Sequence, residues 1–354
     1  MPVPIICLES TLRQYAESFR GVFNNPQFQH FVTVLLGFVL SPRRCTLTGL
    51  SSRVAGSHSV SALSRFFSDA PWSSQELATK WLTRFRQQLL PQIKAEHARE
   101  RAERPRRRGR QRRSQVTAFV IFDDTAVPKH PQGNQGRRMA GLGTHYSSIA
   151  KGLIIGHSFV VGMISLLGRR CPLPPMVYRQ RSVADAEGVP FQSKVELVTN
   201  AIGTLKPLAG TKTHVLVDAW YTCRSVWRAA LQRNFAITGG LRVNRWLRLP
   251  DPLQPGGYRK VQLSAYLAEL EPHDFTMVPW RGRMVAAHLV RTFVYKLGVS
   301  QVLVVKQKPG APAHEGRCWA TSDLTADVVT ATGYAARRWD IETWIGDVKE
   351  VLGP

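Results

Sequence analysis

Apolar and polar positions follow two different rhythms along this chain, and the change of rhythm divides it. Over residues 10 to 95 the apolar residues recur at three- and four-residue steps, as through Leu77, Trp81, Leu82 and Phe85 and again around Phe31 to Leu40. That period predicts helices with one buried stripe. Pro71, then Ser73 or Ser74 with Glu76, is a helix-start signal. Thr46 to Phe67, with Gly49 and Gly56, admits two helices joined by a glycine turn, either a helix-turn-helix or ordinary helix packing.

From Val116 the texture changes to that of an α/β protein. VTAFVIFDDT is a continuous apolar run ending in acids, as buried strands read. A polar, glycine-rich loop through Gly143 follows, then strand-like segments at His157 to Leu167 and Met176 to Gln180. Lys194 to Leu205 has helical spacing, His214 to Thr222 reads as a second buried strand, Ser225 to Gln232 as a short helix and Phe235 to Gly239 as a strand. That order predicts a mixed sheet with helices packed on it. Beyond residue 241, Met284 to Tyr295 and Val299 to Lys308 suggest a hairpin. A further helix is expected from Asp327 onward.

Between the two textures, Arg99 to Arg113 reads RERAERPRRRGRQRR, in which nine residues are arginine and Pro105 and Gly109 break any long helix. Lys plus Arg total 48 against 24 acids, a net charge of +24. Such a field attracts a polyanion, and nucleic acid is the commonest. The arginine run is either a solvated linker or a clamp on a DNA backbone, through Arg106, Arg107, Arg108, Arg110, Arg112 and Arg113. A clamp confers affinity without sequence choice, and six to ten phosphate contacts would lose roughly 10³ to 10⁵ in affinity on a moderate rise in salt. A membrane partner is not expected. Phe31 to Leu40 is too short to span, and Gly152 to Gly168 falls below the usual ~20 residues and contains His157. The N-terminus lacks the basic-then-apolar order of a secretory signal. Five scattered cysteines argue against a disulfide framework or a zinc ribbon, and a reducing cytoplasm is the expected compartment.

Two acids directly follow buried strands: Asp123 after Ala118 to Phe122, and Asp218 after His214 to Val217. Asp124 is a rival to Asp123, although strand alternation turns neighbours to opposite faces. An acid in this position serves turns and caps as well as chemistry. Phosphodiester strand transfer, by contrast, needs carboxylates on rigid strand ends, holding two hard divalent ions about 3.5–4 Å apart. A third acid lies in YAARRWDIETWIGDVKEVLG, from Tyr334, which should be helical. On one continuous helix Arg338, Glu342 and Lys349 fall within about 40° of one another. This face is read either as an exposed ion-pair ladder or as a metal ligand flanked by two phosphate-holding cations. Trp220, Trp339 and Trp344 could stack on a flipped base, but buried packing is the expectation for each.

These motifs together resemble insertion-sequence DDE transposases of the group marked by a Tyr-Arg-Glu-Lys signature. Arg338, Glu342 and Lys349 keep its spacing, while three residues rather than two separate Tyr334 from Arg338. FVIFDDTAVPK (Phe119 to Lys129), VLVDAWY (Val215 to Tyr221) and GLGTHYSS with Lys151-Gly152 also resemble this group, and SALSRFFSDAPW does so more loosely.

The resemblance implies an RNase H-like catalytic domain with Asp123, Asp218 and Glu342 as catalytic and metal-binding triad. It further implies two Mg²⁺ or Mn²⁺ ions, DNA contacts by Arg338, Lys349 and Tyr334, and a homodimer on DNA. The substrates implied are terminal inverted repeats and target DNA, in a nucleoid-associated, cytoplasmic, bacterial setting. The expected domains are a helical DNA-binding domain (1–98), an Arg-rich linker (99–115), the first part of the catalytic core (116–240), a β-rich insertion (241–325) and a helix completing the core (326–354). The chain ends twelve residues past Glu342, where relatives usually continue, so a truncated C-terminus is expected. The rival readings are a non-catalytic DNA-binding remnant that represses transposition, and a junction-resolving nuclease of the same fold.

Overall fold

The computed structural model describes residues 10–41, 45–54, 56, 58–103, 116–129, 139–147, 150–251, 253–306, 308 and 312–352. The arginines at 106, 107, 108, 110, 112 and 113 lie outside the described residues. Chain contacts divide the protein into two compact units, Met1–Pro91 with Thr343–Pro354, and Gln92–Glu342.

The first unit is helical. It contains α1 (Ser10–Glu17), α2 (Asn25–Val39), α3 (Leu47–Ser52), α4 (Val60–Ser68) and the first part of α5 (Ser74–Glu103). Asn24 caps α2 in a reciprocal box with Gln27, and the Ser73 hydroxyl accepts the Glu76 amide at 3.1 Å, where the sequence signals a helix start. Phe19, Phe23, Phe28 and Phe66 form its core, with Trp72 and Trp81 packed against them. Gly37 is required where α2 meets α3, because a Cβ there would lie 2.8 Å from Leu50 Cδ2.

The second unit is built on one mixed sheet of thirteen strands among the described residues. Its first strands are β1 (Val116–Pro128), β2 (Gly143–Ser147), β3 (Gly152–Leu166), β4 (Arg169–Pro172) and β5 (Met176–Tyr178). Then come α6 (Arg181–Glu187), α7 (Lys194–Thr204), β6 (Thr211–Val217), α8 (Arg224–Gln232) and β7 (Ala236–Leu241). The order across this part is β2-β3-β1-β6-β7, with β3 antiparallel to β1, and β6 and β7 parallel to it. This is an RNase H-like sheet. Strand β1 is central, with neighbours on both edges, and so Ile121 and Phe122 are wholly buried. The continuous apolar run is the sequence's record of that position.

The chain beyond β7 is β-rich and extends the same sheet. Strands β8 (Trp246–Pro250), β9 (Tyr258–Gln262), β10 (Thr276–Trp280), β11 (Arg283–Val294), β12 (Gly298–Lys306) and β13 (Arg317–Thr321) are joined to the core through antiparallel pairing of β13 with β7. Helix α9 (Leu263–Glu269) follows β9. The chain then enters α10 (Val328–Arg337), capped by Asp327, whose Ala331 and Ala335 pack on Val278, Val285, Leu303 and Trp319. Helix α11 (Trp339–Leu352) follows. The expected single helix from Tyr334 is therefore two, interrupted by a turn at Arg338.

Candidate active site

The register of two parallel strands brings the first two acids together. The β1–β6 ladder runs from Val116 opposite Thr211 to Ile121 opposite Leu216. Continued by two residues, that register sets Asp123 beside Asp218. The Asp218 Oδ1 accepts the backbone amides of Trp220 at 2.9 Å and Tyr221 at 3.0 Å, so the turn leaving β6 orients the carboxylate. The Asp123 Oδ1 accepts the Asp124 amide at 2.8 Å.

Arg338 supplies the link to the third acid. One of its amino groups donates to Asp123 Oδ2 at 3.5 Å, and the other to Glu342 Oε1. All three side chains are largely shielded from water, at 17% exposure for Asp123, 18% for Arg338 and 29% for Glu342. The start of α11 is tied to the sheet by Asp340, which accepts Ser165 Oγ at 3.0 Å and Arg170 at 3.3 Å, while Ile341 is wholly buried. Arg281 lies over the Trp339 ring at 4.7 Å.

Burial pushes the Asp123 carboxyl up to about 7; the Asp124 amide and Arg338 draw it down, and the charges of Asp218 and Asp124 push it up again. Asp218 is raised for the same leading reason, burial, against the pull of its two amides and Arg338. These carboxylates repel one another and share one guanidinium as counter-charge. Among the described residues, no three His, Cys, Asp or Glu side chains are gathered tightly enough to hold an ion. The acids are instead drawn up around Arg338. As a donor set, three carboxylates supply only hard oxygens, which suits magnesium or manganese.

The neighbouring Asp124 has partners of its own. Its Oδ2 takes the Lys194 ammonium and its Oδ1 the Tyr221 hydroxyl at 3.3 Å. Burial, with the nearby acids, raises the Tyr221 hydroxyl far above its ordinary range, so it stays a proton donor. Lys194 opens α7, whose N-terminus is closed by a reciprocal Ser193–Glu196 box. Sequence reading missed Lys194 and Tyr221; the Ser-x-x-Glu signal before α7 marks the helix start but not what its lysine reaches.

Another expected site residue, Tyr334, stands apart from Asp123 and Asp218. The Tyr334 hydroxyl donates to Asp323 at 2.8 Å, and its ring sits 4.1 Å, centroid to centroid, from His214. With Thr117, Lys212 and Asn234 it lines a cavity of about 680 Å³, toward the start of β1 and β6 and away from Asp123 and Asp218. Lys349 lies in the last turn of α11, two turns beyond Glu342. Two of the tryptophans also depart from expectation: Trp220, in the turn after β6, is 58% exposed, and Trp339, at the first position of α11, is 37% exposed.

A family model described as DDE superfamily endonuclease matches residues 18–262, more than half of the chain, and includes Asp123 and Asp218. The chain belongs to the DDE superfamily of endonucleases. No curated protein matches it. As a DDE superfamily endonuclease it is a transposase-like nuclease whose substrate class is DNA, and the superfamily generally uses divalent metal ions. No helix among the described residues is long and apolar enough to cross a membrane.

Proposed function

We propose that this DDE endonuclease is a transposase of the Tyr-Arg-Glu-Lys group, in which Asp123, Asp218 and Glu342 hold two Mg²⁺ or Mn²⁺ ions. The observation that carries the reading is the meeting of Asp123 and Glu342 on one guanidinium, with Asp218 in register beside Asp123. When bound, a pair of such ions activates the attacking oxygen and stabilises the leaving one.

The protein's own residues do the rest. The amides of Trp220 and Tyr221 keep Asp218 aimed, and the Asp340 contacts hold Glu342 on a helix pinned to the sheet. Arg338 neutralises Asp123 and Glu342 in the ion-free chain, and with those acids holding ions its guanidinium would serve a phosphate beside the scissile bond. Lys349 contributes a second phosphate contact, and the arginines at 106, 107, 108, 110, 112 and 113 grip the backbone without reading sequence. Tyr334 supports α10 through Asp323 and stands outside this contact set.

In this reading the enzyme cuts at terminal inverted repeats with water and joins the freed 3′ hydroxyl to target DNA. Two copies act together, since two ends must be brought to one place.

The test is cleavage of DNA carrying the element's own ends. With Mg²⁺ the wild-type chain is expected to cut at the ends, and D218N to bind the DNA without cutting it. Full cleavage by D218N would end the assignment. Cutting of branched DNA without regard to the repeats would instead make the protein a junction-resolving relative.

A further inference from the structure

Behind the acids, three rings from three elements pack on one another. Phe119 and His214 are partners in the β1–β6 ladder, and each stands four residues before an acid, Asp123 or Asp218. Tyr334 of α10 stands four residues before Arg338 and eight before Glu342. The ring centroids are 5.7 Å apart for Phe119 and His214, 5.8 Å for Phe119 and Tyr334, and 4.1 Å for His214 and Tyr334. Phe119 is 7% exposed and His214 only 2%.

Each ring is also held from outside the group. His214 Nε2 lies 2.8 Å from the Thr238 hydroxyl on β7, and Arg337 lies over the Phe119 ring at 5.1 Å. The Tyr334 hydroxyl donates to one oxygen of Asp323, whose other oxygen accepts the Thr325 amide at 3.1 Å. Burial lowers the His214 pKa to about 3, so this ring is neutral and its packing is indifferent to ordinary changes of pH.

Strand and helix advance by matching amounts between the rings and the acids. Four residues of strand cover about 13 Å, and eight of helix about 12 Å. Arg338 keeps helical dihedrals at the break between α10 and α11, with φ −55° and ψ −30°, so the advance per residue is preserved there. A helix fixed level with Phe119 and His214 thus delivers Glu342 level with Asp123 and Asp218, where Arg338 bridges Asp123 and Glu342.

We propose that Phe119, His214 and Tyr334 form a spacer that sets how far Glu342 stands from Asp123 and Asp218, and thereby which divalent ion the acids accept. The three are positioning residues, acting through the backbones of β1, β6 and α10. Magnesium demands near-ideal octahedral ligands at short range, whereas calcium accepts a looser oxygen cage. A thinner spacer lets α10 settle on the sheet and displaces Glu342, which costs magnesium more than calcium. The spacer rests on the nuclease reading above, in which these acids are the ion ligands.

The test is calorimetric binding of Mg²⁺, and separately of Ca²⁺, to the DNA-free protein, with a thermal midpoint recorded for each variant. Y334L and F119L thin the spacer from opposite sides. Each is expected to weaken Mg²⁺ binding about ten-fold while Ca²⁺ binding changes less than about two-fold. The two substitutions together should cost less than the product of their separate effects, since they act on one contact. Y334F keeps the ring and loses only the hydroxyl, so it should bind both ions as wild type does. Equal weakening of Mg²⁺ and Ca²⁺, or a loss in Y334F matching that in Y334L, would overturn the spacer and leave these rings as ordinary core. Should Y334L not fold, F119L, an apolar exchange within a central strand, decides the matter by the same ratio. Failure of the wild-type chain to bind either ion would instead overturn the nuclease reading, and the spacer with it.

Discussion

The Arg338 guanidinium and the Asp123 carboxylate meet at 3.5 Å across 215 residues of sequence. Because Arg338 also donates to Glu342, one positive charge neutralises two of the acids assigned to the ions. Replacing it with Gln is expected to move two measurements in opposite directions. Mn²⁺ binding to the DNA-free protein, followed by calorimetry, should tighten by about ten-fold, since a competing cation is gone. Cleavage should fall, since a phosphate contact is lost. R338K, which keeps the charge, should bind Mn²⁺ much as wild type does. Loss of both binding and cleavage in R338Q would mean that Arg338 only maintains the fold.

The two adjacent acids of β1 should respond differently to the same substitution. Asp124 is held by Lys194 and Tyr221, so D124N is expected to lower stability by about 1–3 kcal/mol in urea denaturation while metal-dependent cleavage survives. D123N should abolish cleavage without that loss of stability. Abolished cleavage in D124N, with D123N active, would exchange their roles.

Two buried groups make opposite contributions to stability across mildly acidic pH. Asp123 is raised by burial to about 7, so the folded chain retains a proton that the unfolded chain releases from pH 4 upward. Its contribution is full below the unfolded value and is lost as pH rises to about 7. His214 is held down to about 3 by burial, so its contribution is present above pH 6.5 and is lost as pH falls toward 3. The slopes oppose one another over most of that window, each worth up to about 4 kcal/mol. In EDTA, D123N should therefore lose stability more steeply than wild type on acidification, and H214Q should gain it. Parallel pH profiles for the three proteins would refute both assignments.

Gly156 of β3 lies opposite Pro128, where an added Cβ would stand 2.2 Å from the Val127 carbonyl oxygen. Backbone cannot yield there as a flexible side chain would. G156A is expected to cost about 1–3 kcal/mol, measured as a fall in thermal midpoint. An unchanged midpoint would show that the β1–β3 pair is looser than this contact implies.

Much of the site was legible locally. The runs before Asp123 and Asp218 mark buried strands because a strand covered on both faces must be apolar at every position. The Arg338–Glu342 spacing marks a helical pair because residues four apart share a face. Less legible were the shorter elements. Strands β2, β4, β8 and β9 carry too few apolar residues to stand out, since they are held by their neighbours' backbone groups. The break at Arg338 was also hidden, because the flanking residues favour a helix on either side of it.

By itself, then, the sequence determined the longer strands and helices, and that one acid stands where the buried run of β1 ends and another directly after β6, because period and burial are written in neighbouring residues. Only the tertiary structure decided which partners those acids take. The offset of 95 that sets Asp123 beside Asp218, the capture of Asp124 by Lys194 and the exposure of Trp220 all follow from which strand and helix lie alongside. Such non-local pairings are settled by the packing of the whole sheet, and no short window of sequence contains them.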